Sequence, residues 1–219
     1  MLNSESILSY LSMIANQHVG LNIIMHFIVL GVLLSLCLVT KGWLRNLLFW
    51  GGILVLNLSV TINALVFGNP FHLVTFTILA GVIVFQLVKR DPPIERQPNT
   101  LITLIAGLFI LTGFWYPEFT KANLLQLVIM SPVGILPCPT LLTTLGLLVL
   151  VCPCVNKPLL FTAVLMGIIY GLIGTFMLGV YLDLLLVLLA IFALVNRFGL
   201  TDGERPPSGV DPREDVGKE

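Results

Sequence analysis

Among the 219 residues of this chain, the side chains best equipped for chemistry are four cysteines, three histidines and Asp183, an aspartate set in apolar sequence. Cys138 stands within Pro137-Cys138-Pro139-Thr140. Proline suits the first helical turn, where its missing N–H is no loss, so the motif predicts a helix start with Cys138 near the N-cap. The positive end of the helix dipole there favours a thiolate. Cys138 is then either a reactive thiol or soft-metal ligand, or a buried thiol at a helix start. On the second reading Thr140, Thr143 and Thr144 bond back to their own turns. His26, His72 and Asp183 map to the same end of the bundle in the topology derived below. With Cys138 and Thr140 they make a candidate outer polar site, able to take a cation or metal if they converge. Taken singly, they are interfacial histidines and a helix-capping aspartate.

Two further groups carry polar atoms. Asn57, Ser59, Thr61 and Asn63 interrupt an apolar run, with Asn57 and Thr61 on one helical face and Ser59 and Asn63 on another. Amides at membrane depth need partners, so Asn57, Thr61 and Asn63, with Thr143, are a candidate intramembrane polar face. That face either bonds helices together or lines a solute path. Cys37, Cys152 and Cys154 fall at the opposite end from Cys138 and are weak candidates for a soft-metal site. The Cys152-Pro153-Cys154 step resembles the ion site of heavy-metal pumping ATPases, but no phosphorylation or nucleotide domain accompanies it. No His-Glu-x-x-His, Gly-x-Ser-x-Gly, phosphate loop or spaced carboxylate pair occurs. Non-enzymatic roles are favoured and no cofactor is expected.

The elements that must position these residues are apolar runs. Hydrophobic residues are 57% and charged residues 10% of the chain, outside the range of soluble domains. Seven runs can be drawn, at 21–39, 47–66, 71–88, 101–116, 140–155, 159–178 and 184–195. Threading all seven through a bilayer puts Lys41, Arg45, Lys89, Arg90, Arg96, Lys157, Arg197, Arg205, Arg213 and Lys218 on one side. Lys121 alone falls on the other. Cytoplasmic loops carry the Lys/Arg excess, so the partition predicts an all-α polytopic protein with its N-terminus outside and C-terminus cytoplasmic. No secretory signal is expected, since Lys and Arg do not occur in the first twenty residues.

Residues 1–20 form a segment whose Ile7, Leu8, Leu11 and Ile14 share a helical face, an amphipathic helix on the outer interface. Residues 21–198 form the seven-helix domain. Within its long outer loop, 124–130 is too short to span and predicts a surface or re-entrant half helix. Residues 199–219 are charged and rich in Pro and Gly, a disordered cytoplasmic tail. In the sixth run Ala163, Gly167, Gly171, Thr175 and Gly179 recur every four residues. Such a ridge of small side chains lets another backbone approach closely, either within the bundle or across a homodimer.

The stretch 134–148, Gly-Ile-Leu-Pro-Cys-Pro-Thr-Leu-Leu-Thr-Thr-Leu-Gly-Leu-Leu, resembles the signature of a bacterial family of multi-span membrane proteins, the domain-of-unknown-function family six-zero-six-four. Its pattern is Phe-Gly-x-Pro-Cys-Pro-Thr-Thr-like, then Phe-Thr and a Gly-Leu-Leu-Leu run. Thr143 and Gly146 match, whereas Leu141 and Leu142 stand in place of Thr and Phe. Asn69-Pro70, Gln86 and the late hairpin with Asp183 are also similar, so the resemblance extends over most of 3–198. Cys152 and Cys154 lie outside the pattern. The resemblance implies a helical membrane fold and a bacterial inner-membrane location, and no particular activity. Three roles remain open: a small-solute or ion permease or accessory membrane subunit, a thiol-dependent redox or soft-metal handler centred on Cys138, and a membrane scaffold. The lipid bilayer is the expected partner; nucleic acid is not.

Overall fold

The computed structural model describes residues 4–17, 19–89, 94–120, 123, 125–151 and 155–199. Cys152, Cys154, Lys121, His18 and the tail beyond Gly199 lie outside these residues. Among the described residues there are nine α-helices and no strand. They are α1 (Ser4–Gln17), α2 (Val19–Leu38), α3 (Gly42–Val66), α4 (Pro70–Val88), α5 (Thr100–Phe114), α6 (Leu127–Met130), α7 (Pro137–Leu150), α8 (Lys157–Leu172) and α9 (Leu184–Gly199). A π-helical turn, Ile173–Met177, extends α8, and a 3-10 turn, Tyr181–Asp183, precedes α9.

Side-chain chemistry sets the boundaries. Asn69 accepts from the His72 N–H, Asn99 from those of Leu101 and Ile102, and Asn156 from that of Leu159, so three helices begin on asparagine caps. Pro70 and Pro137 fill the first helical positions of α4 and α7. The turn between α3 and α4 passes through Gly68 at φ 69°, a conformation that favours glycine.

Five segments are long and apolar enough to cross a membrane: Val19–Leu38, Gly42–Val66, Pro70–Val88, Lys157–Met177 and Tyr181–Phe198. They mark a membrane-embedded chain. The two remaining apolar helices, α5 and α7, have 15 and 14 residues and fall short of that length.

Helix α7 is the axis of the bundle. Of its 14 residues, 12 are buried, and α3, α5, α8 and α9 pack around it. A helix apolar on every face is what such a position requires. Its closest neighbour is α5. A Cβ on Gly113 would lie 2.8 Å from the Pro139 carbonyl oxygen, and one on Gly146 would lie 3.2 Å from that of Ala106. Glycine thus sets the separation of α5 and α7. The small-residue ridge of α8 also packs within the chain: Gly167 faces Leu145, Leu186 and Ala190, and Gly171 faces Val187 and the Asp183 carbonyl. Gly179 stands apart, in a turn at φ 73° with open space around it.

The chain reaches α7 through a buried irregular segment, residues 131–136. Backbone away from water must have its polar groups satisfied. The Ile135 and Leu136 amides bond the Pro132 carbonyl at 3.0 and 2.9 Å, and the Gly134 amide donates to Thr140 Oγ1 at 2.8 Å. Ser131 Oγ accepts from the Tyr116 amide and donates to the Gly113 carbonyl. Asn22 holds the end of α6 through the Met130 carbonyl, at 3.2 Å. At the opposite end, Gln97 N–H donates to the Leu150 carbonyl, Ile94 N–H to Asn46 and Asn156 N–H to Gln86.

Candidate functional site

A cavity of about 610 Å³ opens at the end of the bundle that carries α1. Its walls come from five places that the chain brings together at that end: α1, the α3–α4 turn with the start of α4, Phe119 after α5, the residues leading into α7 with its start, and the end of α8 with the α8–α9 connection. Cys138, His72 and Asp183 all line it.

Asp183 is 2% exposed, at the end of the 3-10 turn before α9. Its carboxylate bonds elsewhere than to the start of α9. Tyr116 Oη donates to Oδ1 at 2.5 Å, and Cys138 lies close enough to the same carboxylate for the two groups to interact. The sequence pointed to an N-capping aspartate and gave no hint of Tyr116, which lies 67 residues away in the chain. Gly174 makes room for the contact, since a Cβ there would collide with the Asp183 carboxyl group. The π-helical turn, closed by Leu178 N–H on the Ile173 carbonyl at 3.2 Å, and the Val180 N–H on the Gly174 carbonyl at 2.9 Å hold Gly174 in that position.

Cys138 is the second residue of α7, after Leu136 as N-cap and Pro137, so the helix starts two residues earlier than the motif suggests. Cys138 is half-buried and lines the cavity. Thr140 turns away from the cavity to brace the buried segment, with Oγ1 donating to the Leu136 carbonyl at 2.6 Å.

His72 opens the cavity wall on α4. Its Nδ1 lies 2.8 Å from Tyr170 Oη, and that hydroxyl is also 2.8 Å from Thr75 Oγ1. The Tyr170 ring packs between Phe71, His72 and Phe76. Tyr170, like Tyr116, has no sequence signal of its own: both are single tyrosines whose partners come from distant helices.

His26 belongs elsewhere. It is 4% exposed, its Nδ1 faces the Asn22 carbonyl at 2.6 Å and its Nε2 the Phe114 carbonyl at 3.3 Å, and it packs edge-on against the Phe114 ring. It ties α2 to the end of α5 and does not line the cavity.

The polar residues of α3 are also dispersed. Asn57 is fully buried and donates to Ile53 O and to Thr144 Oγ1 on α7. Thr61 donates to the Asn57 carbonyl and Asn63 to that of Ser59. Thr143 packs at Gly113 and its hydroxyl has no partner. Cys37 is exposed at the far end of α2, beside a small cavity shared with Arg96 and Gln97. Among the described residues, no group of three or more His, Cys, Asp or Glu side chains comes together as a metal site.

Helix α1 closes the cavity on its open side through Ser6, Ile7, Tyr10 and Leu11. Tyr10 Oη donates to the Phe67 carbonyl at 2.7 Å, while Ser12 Oγ and Asn16 Nδ2 donate to the Phe119 carbonyl at 3.0 and 2.8 Å. Burial pushes the Tyr10 phenol above its ordinary range, which keeps it a donor in this contact. The site is therefore an apolar chamber with a few convergent polar groups, the usual form of a small-molecule site. No protein-family model, no curated protein and no solved structure matches the chain.

Proposed function

We propose that this chain is a seven-span protein of the bacterial inner membrane that binds a small solute at its periplasmic end, as a permease. It would belong to the family whose Pro-Cys-Pro-Thr signature it resembles. The observation that carries the reading is the cavity, of a volume usual for small-molecule sites, with Cys138 and Asp183 at its inner wall. Helices α5 and α7 count as the two additional spans, α7 reached through the buried segment before it. Lys41, Arg45, Lys89, Arg96, Lys157 and Arg197 all sit at helix ends away from the cavity, which supports a cytoplasmic assignment for that end.

A membrane-impermeant maleimide tests the reading on a variant whose only thiol is Cys138. Labelling of intact spheroplasts is expected, since the cavity would open outward. Labelling in inside-out vesicles as well would fit alternating access. Labelling only in spheroplasts would leave binding without passage, the role of an accessory subunit. Reaction only in inside-out vesicles would reverse the orientation.

A second reading, thiol chemistry at Cys138, is favoured by one observation: the thiol shares the cavity wall with a neighbouring carboxylate, Asp183, that can accept its proton. Unimpaired function of Cys138→Ser in cells would eliminate it, since covalent or redox chemistry at the thiol cannot survive its loss.

A further inference from the structure

We propose that the solute of this cavity is a hydrophobic organic cation, an ammonium head on an apolar body, with Asp183 as its counter-charge. The inference rests on the cavity being the solute site. Asp183 is buried at the cavity wall, where its hydrogen-bond donor Tyr116 and its neighbour Cys138 bring it no positive charge. No lysine or arginine is among the described residues that line the cavity. A carboxylate at this depth is costly unless a cation meets it. Exposed Glu118, close enough for its charge to act on Asp183, adds to the negative field at this end.

The rest of the chamber suits the remainder of such a molecule. Tyr10, Phe67, Phe71 and Tyr170 bring aromatic rings to its walls, and ring faces attract ammonium groups. Ile7, Leu136 and Met177 supply an apolar lining for the body. His72, the other titratable wall residue beside Cys138 and the tyrosines, has Nδ1 occupied by Tyr170. An anionic amphiphile would meet the Asp183 carboxylate and, among the described wall residues, no lysine or arginine. A neutral one would leave the Asp183 charge unmet.

The test uses the full chain in detergent micelles with Cys37→Ser, Cys152→Ser and Cys154→Ser, so that maleimide alkylation reads Cys138 alone. Three probes differ only in the head group: decylamine, 1-decanol and decanoate. At neutral pH decylamine should slow alkylation about tenfold more than 1-decanol, and decanoate should give no protection. Asp183→Asn should make the amine and the alcohol equal. If that variant does not fold, the amine-to-alcohol ratio in the Asp183 chain decides alone. Should Cys138 be inert to the reagent, the thermal midpoint with the same three compounds makes the same comparison. Equal protection by amine and alcohol with Asp183 present would overturn the cation while leaving the cavity reading intact. No effect of any probe would overturn both.

Discussion

Three threonines on one helix do three different things. Thr140 donates to the Leu136 carbonyl and accepts from the Gly134 amide, both fully inside the protein. Thr144 Oγ1 receives the Asn57 amide, and Thr143 packs at Gly113 with its hydroxyl unpartnered. The sequence displayed them as one hydroxylated stripe, because spacing reveals a shared helix but not the partner on each side. The environments predict opposite outcomes for the same substitution. Thr140→Val leaves the Gly134 amide unpaired and should cost about 1–3 kcal/mol, whereas Thr143→Val removes an unmet hydroxyl and should be neutral or stabilising. Thermal unfolding in one detergent compares them directly; equal losses would contradict these assignments. The polar site shows the same limit. Cys138, His72 and Asp183 could be named from residue type and depth. Tyr116 and Tyr170 could not, since nothing local distinguishes a tyrosine that will meet a carboxylate from one at a lipid headgroup.

At the level of elements, glycine decides how closely helices approach. The α8 ridge was visible because its small residues repeat every four positions, the spacing of a single helical face. The closer α5–α7 contact was not visible, since Gly107 and Gly113 on α5 have no such repeat. The structure separates these two. A Cβ on Gly113 meets the Pro139 carbonyl oxygen at 2.8 Å and the Thr143 amide nitrogen at 3.0 Å, while one on Gly107 meets nothing within 4 Å. Gly113→Ala must push α5 off α7, at a cost of about 1–3 kcal/mol. Gly107→Ala should be neutral or gain up to about 1 kcal/mol from helix propensity. Thermal midpoints of the two variants read the difference, and an undamaged Gly113→Ala would mean that α5 can shift freely. The half helix expected at 124–130 is present as the single turn α6, but its function lies in the segment after it. Residues 131–136 form buried irregular backbone, which hydropathy alone counts as more apolar sequence.

For the whole molecule, the apolar runs located every long helix, and five meet the length for crossing. The two that fall short are the pair at the bundle axis and its flank, where hydropathy cannot separate burial in protein from burial in lipid. The proposed orientation rests on charge. With ten basic residues assigned to one side and Lys121 to the other, reporter fusions after Lys121 and after Gly199 should show opposite sidedness. The same sidedness at both would remove an odd number of crossings from the 122–199 region and end the seven-span arrangement.

Helix α5 differs from α7 in one respect with consequences beyond the protein itself. Its 15 residues rise about 22 Å, and Leu101, Leu104, Leu108 and Leu111 are exposed along it. An average hydrocarbon layer is about 30 Å thick. Neighbouring helices shield α7 from that mismatch, whereas α5 presents its shorter apolar face outward. On the proposed seven-span reading, lipid along this flank compresses its acyl chains, so the protein would thin the membrane on one side only. It would then favour thinner patches of bilayer and draw together with other short-spanning proteins.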